Sequence, residues 1–219
     1  MKKLNLLFFG PPGAGKGTIA KEVSKKYNIP HISTGDMLRE AVASGSELGK
    51  KIKSVLDSGQ LVSDEIMLEV IKNRLNQNDV EKGFILDGFP RTLPQAEALE
   101  TLLKDIKNPI TGIIYLEVDE KTVVKRITSR RICPKCGKIY NVITLKPKIE
   151  NKCDICGEEL IQRDDDKEEV VRDRYKVYME KTYPVIEFYR KYNQFFTLDG
   201  SGTVEIVTKE VFNILEGII

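Results

Sequence analysis

A chain of 219 residues, 41% of them hydrophobic, can build one sizeable core with small insertions, so one α/β domain with appendages is expected. Lys and Arg number 35 against 33 Asp and Glu, a net charge of +2, which excludes a global basic field that would recruit nucleic acid or an anionic membrane surface. No stretch approaches the roughly 20 apolar residues that cross a bilayer, and the apolar run after Lys2-Lys3 is too short for a secretory leader and has no small-residue cleavage site; a cytoplasmic location is expected.

Leu4 to Phe9 reads as a strand buried on both faces, and Gly17 to Tyr27 as the helix after it, with Ile19, Ala20 and Val23 at helical spacing. The two are joined by Gly10-Pro11-Pro12-Gly13-Ala14-Gly15-Lys16-Gly17-Thr18. Glycines here let successive backbone N–H groups converge on phosphate oxygens, the helix presents its positive dipole end, and Lys16 adds a mobile cation. The loop departs from the pattern GxxxxGK[ST] in one respect: Gly17 stands where a hydroxyl would meet magnesium, and the hydroxyl comes one place later, at Thr18. Either Thr18 reaches a phosphate or the metal indirectly, or the ion is anchored from elsewhere, so a second, acidic site is expected.

Ser33 and Thr34 open a helix that runs through Ala43, Glu47 to Leu56 makes another ended by Ser58-Gly59, and Ser63 N-caps a helix reaching about Asn76. With no strong strand between them, 34–62 reads as an excursion from the sheet. Gly83 to Asp87 is a short apolar run that suits a central parallel strand ending in an acid. Thr92 to Leu103 is helical, Gly112 to Val118 a strand and Glu120 to Ser129 a helix. The alternation breaks over 130–163. Asp164 to Tyr192 is a long charged helical stretch that Pro184 is positioned to kink, Phe195 to Leu198 a last strand, and Thr203 to Leu215 a closing helix. No internal repeat is visible, and the one low-complexity patch is Arg163-Asp164-Asp165-Asp166.

Cys133-x-x-Cys136 and Cys153-x-x-Cys156, sixteen residues apart, have the spacing of a four-thiolate zinc site, and Gly137 and Gly157 permit the tight turn after each pair. Four thiolates leave no open coordination position, so such a metal folds the insertion rather than doing chemistry. The alternatives are another metal, paired disulfides or free thiols; a reducing compartment disfavours disulfides.

With Ser33-Thr34-Gly35-Asp36-Met37-Leu38-Arg39 and Asp87-Gly88-Phe89-Pro90-Arg91 added to the phosphate loop, the chain resembles the adenylate kinases, and the four cysteines make it similar to the zinc-containing, long-lid bacterial form. The resemblance covers the whole chain, and Leu86 to Arg91 with Gln95 four residues on is specific for nucleoside monophosphate kinases. It implies an α/β P-loop three-layer fold, a central parallel sheet flanked by helices. The core would comprise 1–33, 63–129 and 164–219, with a helical AMP-binding segment at 34–62 and a zinc-ribbon-like lid at 130–163.

The resemblance further places Gly13, Ala14, Gly15, Lys16, Gly17 and Thr18 around the phosphates of ATP, with Arg126 near its base, Arg130 at its phosphates, and Tyr140 and Gly202 in the same set. It gives AMP to Thr34 and Gln95 near the adenine, Arg39 and Arg91 on the phosphate, and Gln60, Leu61, Val62 and Gly88 beside them. Arg163 and Arg174 match lid arginines that close on both substrates. Asp87 matches the acid that holds Mg2+, the second site that Gly17 requires. Lys16, Asp87, Arg91, Arg130, Arg163 and Arg174 then form the catalytic set. Each has a plainer alternative: Gln95 a solvated helix residue, Thr34 an N-cap, Asp87 a cap or turn residue, the arginines solvated charges.

The lone His31 is read as packed at a strand end rather than as a general base, because phosphoryl transfer depends on positioning and charge neutralisation and the acceptor phosphate is already anionic. Asn141 stands where relatives often carry histidine, but four cysteines complete a metal site without it. The implied activity is reversible transfer from MgATP to AMP giving two ADP, by a monomer with structural zinc and no nucleic-acid or membrane partner. Beside it stand a kinase for another nucleoside monophosphate, a GTP-dependent AMP kinase, and a nucleotide-gated zinc-ribbon binding module. The last is opposed by the near-zero net charge and by Tyr140 being the only aromatic of the ribbon.

Overall fold

A computed structural model describes residues 3–218. Its strands are β1 (Leu4–Phe9), β2 (His31–Ser33), β3 (Gly83–Asp87), β4 (Gly112–Glu117), β5 (Arg130–Ile132), β6 (Ile139–Asn141) and β7 (Phe195–Asp199). Five of them form one parallel sheet in the order β2-β3-β1-β4-β7. All six residues of β1 and all five of β3 are buried, because parallel strands at the centre of a sheet are covered on both faces.

The two faces divide the alternate side chains of β1. Leu7 and Phe9 face α4 (Asp64–Leu75), α5 (Leu93–Asp105) and α8 (Tyr183–Tyr189), through Ile71, Leu99 and Tyr189 among others. Leu6 and Phe8 face α1 (Lys16–Tyr27), α6 (Glu120–Thr128) and α9 (Val204–Ile218), through Val23, Ile127 and Val211. The two-residue period of the strand thus makes the three layers. Helices α2 (Thr34–Ala43) and α3 (Glu47–Asp57) pack on each other.

Two expectations need correction, and two elements gain detail. β2 begins at His31, the residue read as packed at a strand end, and lies at the sheet edge, pairing Ile32 with Leu86. Ser63 stands at the N-cap of α4 but its side chain caps nothing. The long helix over 164–192 is three pieces: a 3-10 turn at Asp164–Asp166, α7 (Glu168–Val177), and α8, the last two joined by a π-helical turn at Tyr178–Thr182. Pro184 has no N–H for the ladder, and the wider turn absorbs the break. Within 130–163, β5 and β6 pair antiparallel, and Ile132 bridges to Ile161. Among the described residues, no helix is long and apolar enough to cross a membrane.

Candidate active site

The carboxyl ends of β1, β2 and β3 open on one side of the sheet, where parallel α/β folds hold their ligands. The loop after β1 enters α1 at Gly15, and Gly13 adopts φ +73°, a left-handed turn in which a Cβ would strike Ile127 Cγ1 at 2.6 Å. Lys16 Nζ, half-buried, donates to the carbonyls of Gly10 and Pro11 at 2.7 and 2.9 Å. Burial lowers its pKa to about 8; Asp87 opposes this, and Arg91, Arg174 and Arg130 add to it. The loop thus holds a cation short of counter-charge, the condition a polyphosphate would relieve.

Asp87 ends β3 beneath that loop. Its Oδ2 lies 3.1 Å from His31 Nε2, and both side chains are nearly buried. A Cβ on Gly17 would approach the same Oδ2 at 3.3 Å.

Gly88 follows with φ +80°, and a Cβ there would meet Arg91 Nη2 at 2.7 Å and Thr34 Oγ1 at 2.9 Å. Its bare backbone is what lets those two side chains converge: Arg91 Nε donates to Gly88 O at 2.6 Å and Thr34 Oγ1 donates to it at 2.8 Å. Thr34 is therefore not the N-cap of α2; Ser33 is, accepting from Asp36 N. Gln95 is buried, accepting from Arg91 N and donating to Asp64 Oδ1, each at 2.7 Å, so it is not a solvated helix residue.

Thr34, Gly88, Arg91 and Gln95 line a cavity open to solvent. Thr34, Arg39, Gln60, Leu61, Val62, Gly88, Arg91, Gln95 and Arg174 all contribute to it, whereas Arg163 does not. Leu38, Leu56 and Met67 add an apolar wall that the sequence reading did not include; Leu38 follows Thr34 by one helical turn of α2, which was the available signal.

The arginines crowd the same region. Burial, then repulsion from Arg174, lowers the pKa of Arg91 to about 10; burial, then Arg39 and Arg130, does the same to Arg163. Burial also lowers that of Arg174. Two are anchored by acids from the low-complexity patch. Arg130 forks onto both oxygens of Asp166, which is 1% exposed, and although burial opposes it this pairing raises the Arg130 pKa above its usual value. Arg174 Nη1 donates to Asp165 Oδ2 at 2.8 Å and to Asp165 O at 2.9 Å. Arg126 donates to the carbonyls of Gly200, Ser201 and Gly202 at 2.6 to 3.1 Å, which joins α6 to the loop after β7.

The four cysteine sulfurs lie within 4.8 Å of one another. Cys133 Sγ is 3.4 Å from Cys156 Sγ and Cys136 Sγ is 3.5 Å from Cys153 Sγ. A disulfide would bring two sulfurs to about 2.05 Å, whereas four thiolates around one tetrahedral ion at ~2.3 Å stand about 3.8 Å apart. The two turns match: Gly137 N donates to Cys133 O and Gly157 N to Cys153 O, each glycine with positive φ. The donor set and its spacing fit a structural zinc.

The adenylate kinase family model matches residues 8–194 of the chain. The adenylate kinase of Fervidobacterium nodosum is 60% identical over 98% of each chain. That of Thermosipho africanus is 59% identical over 97% of this chain and 99% of its own, and that of Archaeoglobus fulgidus 59% over 98% and 99%. The chain belongs to the adenylate kinase family.

Within this family assignment, the structure shows how one expected site residue packs, and two groups were missed. Tyr140 was expected at ATP, but its ring is 2% exposed, packed with Cys133, Cys153 and Leu160. Its hydroxyl accepts from Asp154 N at 2.7 Å and donates to Cys153 Sγ at 3.5 Å, so the side chain supports the four-cysteine pocket of the lid. Asn141 is likewise no ligand: its Oδ1 accepts from Ile143 N and Thr144 N, and its Nδ2 donates to Arg126 O, tying the lid to α6. Asp64, and the pair Asp165 and Asp166, were not named as site residues. The signal for the pair was three consecutive acids in a chain whose arginines needed counter-charge; Asp64 left no local signal.

Proposed function

We propose that the chain transfers the terminal phosphoryl group of MgATP reversibly to AMP, giving two ADP, and so maintains the balance of adenine nucleotides. The observation that carries this reading is the cavity that combines an apolar wall with Arg39, Arg91 and Arg174, the last two close enough to Lys16 to act on its charge. An apolar wall suits a nucleoside and the guanidiniums suit its phosphate.

The donor phosphates would lie on the loop from Gly13 to Thr18, with Arg126 and the backbone of Gly202 beside the donor nucleoside. Lys16, Arg91, Arg130, Arg163 and Arg174 balance the charge spread over the moving group, and their fixed positions spare reorganisation during transfer. No base is required, because the attacking phosphate oxygen is already anionic. Mg2+ bound with ATP would neutralise further charge on the donor phosphates, and Asp87 is the carboxylate available to hold it through water. Segments 34–62 and 130–163 act as the acceptor clamp and lid, and closing them excludes water as a competing acceptor. Zinc in the lid, a cytoplasmic location suited to free thiolates, and a monomeric state belong to the same reading.

A coupled assay for ADP tests it: ATP with AMP as acceptor should turn over, with GMP, CMP and UMP far slower and GTP a poor donor. A preference for another acceptor or for GTP would replace this reading with one of the related kinases.

A further inference from the structure

Gln95 lies in the cavity read above as the acceptor-nucleotide site, and its amide is held at both ends. Oε1 accepts from Arg91 N at 2.7 Å, and Nε2 donates to Asp64 Oδ1 at 2.7 Å. The same Asp64 oxygen accepts from Thr92 Oγ1 at 3.0 Å, so Asp64 is itself held. Thr92 Oγ1 in turn accepts from Gln95 N at 3.3 Å, which closes the circuit.

An amide has two acceptor positions on oxygen and two N–H donors. The two bonds use one of each and leave one N–H and one lone pair. They also fix which end is which: turning the amide over would set Nε2 against the Arg91 N–H and Oε1 against a carboxylate, two repulsive contacts in a buried place. An ionised carboxylate is an acceptor only, so Asp64 cannot adapt. Thr34 is constrained in the same sense. Its hydroxyl proton goes to Gly88 O, so toward the cavity it offers lone pairs alone.

We propose that Asp64 is a positioning residue for base specificity: it locks Gln95 in the one orientation whose free donor and acceptor match the edge of adenine and oppose that of a 6-oxopurine. Adenine carries an acceptor at N1 beside a donor at its 6-amino group. Hypoxanthine carries the reverse, an N1–H donor beside the O6 acceptor. A glutamine free to turn over would accept both. The lock also explains why a residue with no charge of its own needs a carboxylate partner in the first turn of α4. This inference rests on the reading of the cavity as the AMP site.

The experiment compares kcat/KM for AMP and for IMP in wild type, Asp64→Ala and Asp64→Asn, with melting temperatures alongside. The expected result in the Ala variant is a fall of about tenfold in the AMP-to-IMP ratio, with KM for AMP raised and kcat for AMP little changed. Asn has the same shape but can donate or accept, so it should lower the ratio at an unchanged melting temperature. If Asp64→Ala does not fold, Asp64→Asn decides alone. An unchanged ratio in the folded variants, whatever their melting temperatures, would reduce Asp64 to a structural residue and overturn the proposal. Wild-type enzyme that ignores AMP would instead overturn the reading on which it rests.

Discussion

A Cβ on Gly17 would stand 3.3 Å from Asp87 Oδ2. The carboxylate thus reaches the space that a serine or threonine at 17 would enter, and His31 Nε2 closes on it at 3.1 Å. On the proposed reading, the oxygen that phosphate loops usually take from the residue after lysine would be supplied here from the end of β3. Asp87→Asn should raise the Mg2+ concentration needed for half-maximal activity about tenfold or more while the melting temperature hardly moves. A Mg2+ titration checks this, and an unchanged requirement would remove Asp87 from metal binding.

Lys16 titrates near pH 8 in the free protein, against a usual value of 10.5. Below about pH 8 it is charged in both folded and unfolded chains, and its burial costs stability. Between 8 and 10.5 the unfolded chain holds this proton and the folded chain does not, so stability rises with pH as this penalty is relieved. A polyphosphate restores the charge, so nucleotide binding should take up a proton at about pH 9. Calorimetry of ATP binding in buffers of different ionisation enthalpy should show that uptake in wild type and lose it in Lys16→Met.

Arg91 and Arg130 should part company on stability. Arg91 is repelled by Arg174 and Arg39 and attracted only by the nearby Asp87, and among the described residues no carboxylate is hydrogen-bonded to its guanidinium. Arg91→Ala is therefore expected to cut turnover by about 100-fold or more and leave the melting temperature unchanged or slightly raised. Arg130→Ala strands Asp166, 1% exposed, without its fork; breaking such a pair costs on the order of 3 kcal/mol. Denaturant melts beside steady-state rates distinguish the two, and near-normal turnover in Arg91→Ala would sink its catalytic role.

Metal analysis of freshly purified, reduced protein should find one zinc per chain, since four thiolates complete one tetrahedral site. Stripping it with a strong chelator should lower the melting temperature by several degrees and expose four titratable thiols. A metal-free protein with an unchanged melting temperature would leave the cluster without a structural role.

The strands β1, β3 and β4 were legible because each is a short, almost wholly buried apolar run next to glycine. β2 was legible only as the strand end at His31, because three residues with one buried position, Ile32, are too few to display a period; it exists because the edge of β3 offers backbone groups to pair with. Pro184 announced a break, but whether the chain would bend, stop or widen depended on what it packed against. The structure chose a π-turn whose Thr182 hydroxyl donates to Arg91 O at 3.0 Å.

Where partners lie close along the chain, the sequence was enough. The phosphate loop and the paired cysteine turns follow from glycine placement and short spacing, since only a few dihedrals separate the groups that must meet. Which carboxylate meets which basic side chain was decided by tertiary structure alone. Asp166 finds Arg130 across 36 residues and Asp87 finds His31 across 56. Tyr140 turns toward Cys153 because the lid's small core needs its ring. Asp64 meets Gln95 because α4 packs on α5. Sheet register and helix packing fix such encounters, and neither is written in the local spacing of residues.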